Sequence, residues 1–210
     1  MKIKKAFLGA VVILMSLSSV QANPFKINEA EYQSMIEKTI VSTGTNARMK
    51  KVLAKARQGE KLRIAAIGGS VTEGAGPANF TDGYAYQFFR AFKAKYAAGD
   101  GSNLSFNNAG LSGTGSLVGI VRYEQDVVKV CGGNPDLLII EFAVNDNGDV
   151  LCQRTFEAII RKAMLANPDC AVIAMYAVAS YGNTAGQKKP VADHYVLPQI
   201  NMMPVVNGAI

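Results

Sequence analysis

Histidine is almost missing from this chain: His194 is the only one in 210 residues. Cysteine is scarce as well, with three copies. None of them stands at metal-ligand spacing with the histidine, so the sequence implies no metal site. Three cysteines are also too few for a fold built on disulfides. Seven prolines and twenty scattered glycines without a period exclude collagen-like, solenoid and low-complexity architectures. Charged residues make up only 18% of the chain, whereas hydrophobic residues reach 49%. That balance supports a sizeable core in a single globular domain.

The apolar residues begin with a leader. Lys2, Lys4 and Lys5 precede an apolar run from Ala6 to Leu17, interrupted by Gly9 and Ser16, and Val20-Gln21-Ala22 supplies small residues for cleavage. This pattern predicts a cleavable signal peptide over residues 1–22 and a periplasmic or secreted protein. The run is shorter than the ~20 apolar residues of a membrane span, so no stable membrane anchor is expected in the mature chain. The whole chain carries a net charge of +6; removing three lysines with the leader leaves 19 basic against 16 acidic side chains, or +3. Without a basic cluster, that charge argues against a nucleic-acid partner.

Residues 23–60 read as an N-terminal helical extension. Met35, Ile36 and Ile40, then Met49, Val52 and Leu53, recur at helical spacing, with a break at 42–46. From residue 61 to 210 the pattern becomes strand and helix in alternation. Apolar runs at 62–67, 103–108, 135–144, 171–178 and 196–201 read as strands. Helical segments at 84–96, 117–130, 156–165 and 189–195 separate them. Strands that are apolar along their length imply a sheet covered on both faces, giving a three-layer α/β/α sandwich of flavodoxin-like type with about five parallel strands. Cys131 and Cys170 precede two strands expected to be neighbours. A bridge between them and three free thiols are both compatible with the sequence.

Right-handed crossovers bring the C-terminal ends of all parallel strands to one edge, where open sheets bind ligands. Three loops on that edge carry reactive groups. Gly68-Gly69-Ser70-Val71-Thr72 puts Ser70 on a sharp turn; Leu111-Ser112-Gly113 follows the second strand; Phe142-Ala143-Val144-Asn145-Asp146 follows the third. A hydroxyl nucleophile, a glycine N–H open to close approach and a carboxamide are the parts that acyl transfer needs, since the developing oxyanion requires fixed donors.

These blocks resemble the SGNH hydrolases, also called GDSL esterases and lipases, and the likeness runs from about Leu62 to about Asn201. It implies that Ser70 is the nucleophile and that the oxyanion hole comprises the N–H groups of Ser70 and Gly113 with the Asn145 side chain. The Ile-Gly-Gly-Ser-Val-Thr-Glu-Gly wording is similar to branches rich in carbohydrate esterases. The resemblance therefore implies a short-chain ester substrate, with acetyl on a carbohydrate or other small molecule as the expectation, and no cofactor. Gly69 stands where the family has the aspartate of Gly-Asp-Ser, and Ala143 where it has the first glycine of Gly-x-Asn-Asp. The family's Asp-x-x-His block, which supplies the catalytic base, has no counterpart. His194 follows Asp193 directly and falls at the end of a helix that leads into the last strand. That placement puts it at the opposite sheet edge from Ser70, a strand length of about 17–20 Å away. The expectation is a member whose base lies beyond Ile210.

Other readings are weaker. The run Gly69 to Gly76 starts like a phosphate loop but has Ala75 and Gly76 where Lys and Ser/Thr are needed. Gly113-Thr-Gly115-Ser-Leu-Val-Gly119 misses the dinucleotide spacing by one residue. A non-catalytic carbohydrate-binding relative and an acyltransferase on the same fold remain as alternatives. Asp146 and Glu141 read as structural carboxylates, and Tyr84, Phe88, Phe89 and Phe92 as core.

Overall fold

The structure, a computed structural model, describes residues 28–208, and the leader read at residues 1–22 lies outside that range. In chain order the elements are α1 (Glu29–Thr39), β1 (Ile40–Thr43), α2 (Ala47–Gln58), β2 (Leu62–Gly68), α3 (Ser70–Glu73), α4 (Tyr84–Tyr96), β3 (Leu104–Gly110) and α5 (Ser116–Tyr123). There follow β4 (Leu137–Glu141), α6 (Val150–Ala166), β5 (Ala171–Tyr176), α7 (Ala185–His194), β6 (Pro198–Asn201) and α8 (Met203–Gly208). A 3-10 turn at Phe80–Asp82 precedes α4, and a π-helical segment, Glu124–Lys129, extends α5.

The strands form one sheet in the order β1-β6-β5-β4-β2-β3. Strands β2 to β6 are parallel, and their order matches the flavodoxin-like arrangement expected from the alternating pattern. Along β2 the side chains alternate between two cores. Leu62, Ile64 and Ala66 face α2 and α4, meeting Met49, Val52, Leu53, Phe88 and Phe92. Ala65 and Ile67 face the other layer, with Tyr123, Phe156, Ile159 and Ile160. Both faces are covered, which is why the strands lack the polar alternation of a half-exposed sheet. Phe88 and Phe92 are fully buried, while Tyr84 and Phe89 pack at the margin of the same core.

The sheet differs from the expected one in its sixth strand. β1 pairs antiparallel with β6, Ile40 opposite Ile200 and Thr43 opposite Pro198. The break at 42–46 is therefore strand and turn, and the segment read as a helical extension enters the main sheet and core. Local capping is clear in α1, where Asn28 Oδ1 accepts from Glu31 N–H at 2.9 Å and Glu31 returns a bond to the Asn28 N–H. Cys131, Cys152 and Cys170 are free, so the alternative of a Cys131–Cys170 bridge is not realised. No described helix is long and apolar enough to cross a membrane.

Candidate active site

The strand order reverses between β2 and β4, since β2 connects to β3 on one side and the chain then crosses to β4 on the other. Such a switch point leaves a crevice outside the strand ends. Ser70 leaves β2 there as the first residue of α3, half-buried, directly after Gly69. Gly69 is the meeting point of three loops. A Cβ on Gly69 would overlap Asn145 Oδ1, and it would lie 3.2 Å from the Thr114 carbonyl oxygen. The Asn145 side chain from the β4 loop and the residue after Gly113 from the β3 loop thus both close on the backbone beside Ser70. Any larger residue at position 69 would push them away.

Two sets of bonds hold the loops in register. On the β3 side, Glu73 Oε2 accepts from the Ser112 N–H at 3.0 Å and from the Ser112 hydroxyl. Asn108 donates through Nδ2 to the Thr72 carbonyl at 2.8 Å and accepts the Gly110 N–H at 2.9 Å. Leu111 N–H donates to the Gly68 carbonyl at 3.0 Å. Gly113 then turns with φ +73°, exposed and with open space where a Cβ would be, a conformation that favours glycine. The backbone there is free to face a ligand.

On the β4 side the tie is Asp146. Its Oδ1 accepts the Ser116 N–H at 2.7 Å, capping α5, for which Gly115 offers no side chain. A Cβ on Gly115 would meet this oxygen at 2.5 Å. Asp146 Oδ2 lies 3.0 Å from Lys188 Nζ in an ion pair whose partners are 1% and 0% exposed. Lys188 donates to Thr184 Oγ1 at 3.0 Å, and Thr184 donates to the Ala143 carbonyl at 3.0 Å. Asp146 is thus the structural carboxylate that its motif position suggested. Lys188 gave no signal in the sequence: it adjoins Lys189, which is exposed and pairs with Asp193.

Glu141, at the end of β4, is fully buried beneath this loop. Its Oε1 accepts the Ala143 N–H at 2.8 Å, and Oε2 has no hydrogen-bond partner. Burial pushes its carboxyl up to about 7, opposed first by the Ala143 N–H and more weakly by other nearby backbone N–H groups and the Lys188 charge. Burial also raises Tyr84, with Glu141 adding to the effect, while the Thr72 hydroxyl at 2.8 Å counters it.

Beside Asn145 opens a cleft of about 470 Å³, lined in part by Asn147, Tyr181, Asn183 and Thr184. His194 is remote from it. It ends α7, ahead of the N-terminal end of β6, exposed and edge-on to the Tyr195 ring at 4.9 Å. Asp193 is engaged elsewhere, accepting from Lys189 at 2.6 Å and Gln199 at 2.7 Å. Of the residues singled out beforehand, Ser70, the Gly113 loop and Asn145 come together; His194 does not join them. Among the described residues no group of three His, Cys, Asp or Glu side chains is arranged to hold a metal ion.

Two solved structures of a two-domain esterase active on acetylated mannans, one co-crystallised with mannopentaose, superpose with TM-scores of 0.73 and 0.74 at 33% and 32% identity. They cover 83% of this chain, whereas the chain spans only 48% and 47% of theirs, about half their length. A lipase/acylhydrolase from Enterococcus faecalis shares the fold at 17% identity and a TM-score of 0.51, covering 70% of this chain and 78% of its own. No curated protein sequence matches the chain. Residues 66–201 match the profile of the GDSL-like lipase/acylhydrolase family. That span begins in β2 and ends with β6, so the match encloses every loop of the crevice. The chain belongs to the GDSL-like lipase/acylhydrolase family.

Proposed function

We propose that this chain carries the nucleophile and oxyanion hole of an extracytoplasmic serine esterase acting on short acyl groups, acetyl above all, borne by a carbohydrate. The observation that carries the reading is the convergence at Gly69, where the Asn145 amide and the loop after Gly113 meet the backbone beside Ser70. In this mechanism the Ser70 hydroxyl attacks the ester carbonyl. The carbonyl oxygen, now negative, is held by the N–H groups of Ser70 and Gly113 and by the Asn145 amide, donors already fixed before charge develops. Collapse breaks the bond to the sugar oxygen, which leaves as a hydroxyl carrying the proton taken from Ser70. Water then adds to the acyl carbon, the acid departs and a proton returns to Ser70. The proton of Ser70 passes to a base that His194 cannot supply from its position. The acetyl-mannan activity of the related two-domain esterase supports the choice of ester, and the leader motif supports the compartment.

The remoteness of His194 favours one rival, a carbohydrate-binding relative that keeps the cleft without turnover. The deciding experiment uses a small aryl acetate with the chain lacking residues 1–22, compared with Ser70→Ala. Hydrolysis is followed by absorbance and acylation of the protein by intact mass. Turnover or a stoichiometric acetyl adduct that disappears in Ser70→Ala supports the proposal. Absence of both from the parent protein even with imidazole supplied as an external base overturns it for this chain.

A further inference from the structure

The loop between β5 and α7 presents a tyrosine for which acyl transfer has no task. Tyr181 is 76% exposed, but it is anchored. Ala179 and Gly182 exchange N–H···O bonds of 3.0 and 2.9 Å, closing a tight turn with Ser180 and Tyr181 at its tip. The Tyr181 hydroxyl donates to the Val144 carbonyl at 3.2 Å. The ring is therefore tethered at both ends while most of its surface stays in water. An aromatic ring held in place before any ligand arrives loses little conformational freedom on binding.

The surroundings define what such a ring would meet. The cleft it borders, about 470 Å³, is lined in part by Asn145, Asn147, Asn183 and Thr184. Its one acidic lining residue, Asp146, is 1% exposed and paired with Lys188. Asn183 and Thr184 are bonded within the protein, so the cleft offers the Asn145 and Asn147 carboxamides and an aromatic face without an accessible charge. A long alkyl chain would cover those two carboxamides without pairing them, at a cost in free energy. A charged sugar would find no counter-ion. A neutral pyranose, with one C–H face for the ring and hydroxyls for the amides, satisfies both surfaces. The sheet order β5-β4-β2 places Tyr181 on the side of Asn145 away from Ser70. An ester with its carbonyl at Ser70 and its sugar portion directed past Asn145 would reach Tyr181.

We infer that Tyr181 is the stacking platform of a subsite for a neutral pyranose, adjoining Asn145; the orientation of that sugar rests on the esterase reading above. The test is isothermal titration with mannopentaose of the parent chain, Tyr181→Ala and Tyr181→Phe. Loss of the ring is expected to weaken binding about tenfold, the scale of one aromatic contact in a sugar site. Tyr181→Phe keeps the ring and stays within about threefold of the parent. Equal affinity of parent and Tyr181→Ala overturns the inference. So does Tyr181→Phe binding as weakly as Tyr181→Ala, because the residue would then act only through its tether. Absence of binding by the parent at about 10 mM sugar overturns it as well. Acylation of Ser70 by the aryl acetate is measured on the parent protein, so that the esterase reading is tested separately from the subsite. Acylation without Tyr181-dependent sugar binding sinks the subsite and leaves the esterase reading standing, and the converse result does the reverse.

Discussion

Replacing Glu141 by Gln tests whether the buried carboxylate below the loop after β4 is a burden that grows with pH. In the fold its carboxyl is raised to about 7, against 4.5 when solvated, and burial is the leading cause. Below pH 4.5 the group is protonated in both folded and unfolded chains and contributes nothing. As pH rises from there to 7, the unfolded chain ionises first, so the native state loses stability; above 7 the penalty is constant. The gap between the two values, at 1.36 kcal/mol per unit, amounts to about 3 kcal/mol. Gln has the shape of the protonated acid, can still accept the Ala143 N–H, and does not titrate. Stability of Glu141→Gln relative to the parent is therefore expected to improve by about 3 kcal/mol between pH 4.5 and pH 8. Urea unfolding at a series of pH values reads this as a relative midpoint shift of about 1–2 M. The other titrating groups are common to both proteins and cancel in the difference, apart from their coupling to position 141 through Lys188 and Tyr84. A difference that does not change with pH refutes the reasoning. One that moves in favour of the parent as pH rises would show an ionised Glu141 stabilised by Lys188.

Gly69→Ala would place a methyl on Asn145 Oδ1; Ser70 acylation by aryl acetate should slow about 10²–10³-fold with the fold intact. A parent-like rate would contradict the convergence at Gly69. Lys188→Met leaves Asp146 and Glu141 buried without their cation; a loss of about 3–5 kcal/mol in urea unfolding is expected, partly recovered by adding Asp146→Asn. Equal stability of Lys188→Met and the parent would argue against the ion pair. Glu73→Ala frees Ser112, so amide hydrogen exchange at Ser112 should accelerate toward that of an unprotected loop, and unchanged exchange would remove Glu73 as the tie between the two loops. Burial pushes the Cys170 thiol up to about 12, so it should resist iodoacetamide at pH 8 until urea unfolds the chain; rapid native labelling would contradict its burial.

The apolar runs at 62–67, 135–144 and 171–178 could be read directly because burial on both sheet faces imposes a local and uninterrupted requirement on every residue of a central strand. Topology followed from those strands and their intervening helices. With it came the shared edge for Ser70, Gly113 and Asn145 and the opposite edge for His194, since parallel strands with right-handed crossovers allow one arrangement of ends. Strand β1 escaped this reading. Its four residues, Ile-Val-Ser-Thr, are too short and too mixed to carry a period, and the partner that makes them a strand is β6, far along the chain. Lys188 escaped for a related reason. Nothing nearby in the sequence distinguishes it from exposed Lys189; only the packing of α7 against the β4 loop puts one ammonium group on Asp146 and leaves the other in water. Gly69 shows the same division. A glycine before Ser70 reads as turn chemistry, whereas its overlap with Asn145 arises only when loops from separate strands converge. Requirements set by burial along one element leave a pattern in neighbouring residues. Contacts between elements distant in the chain leave none, and they alone position the groups around Ser70.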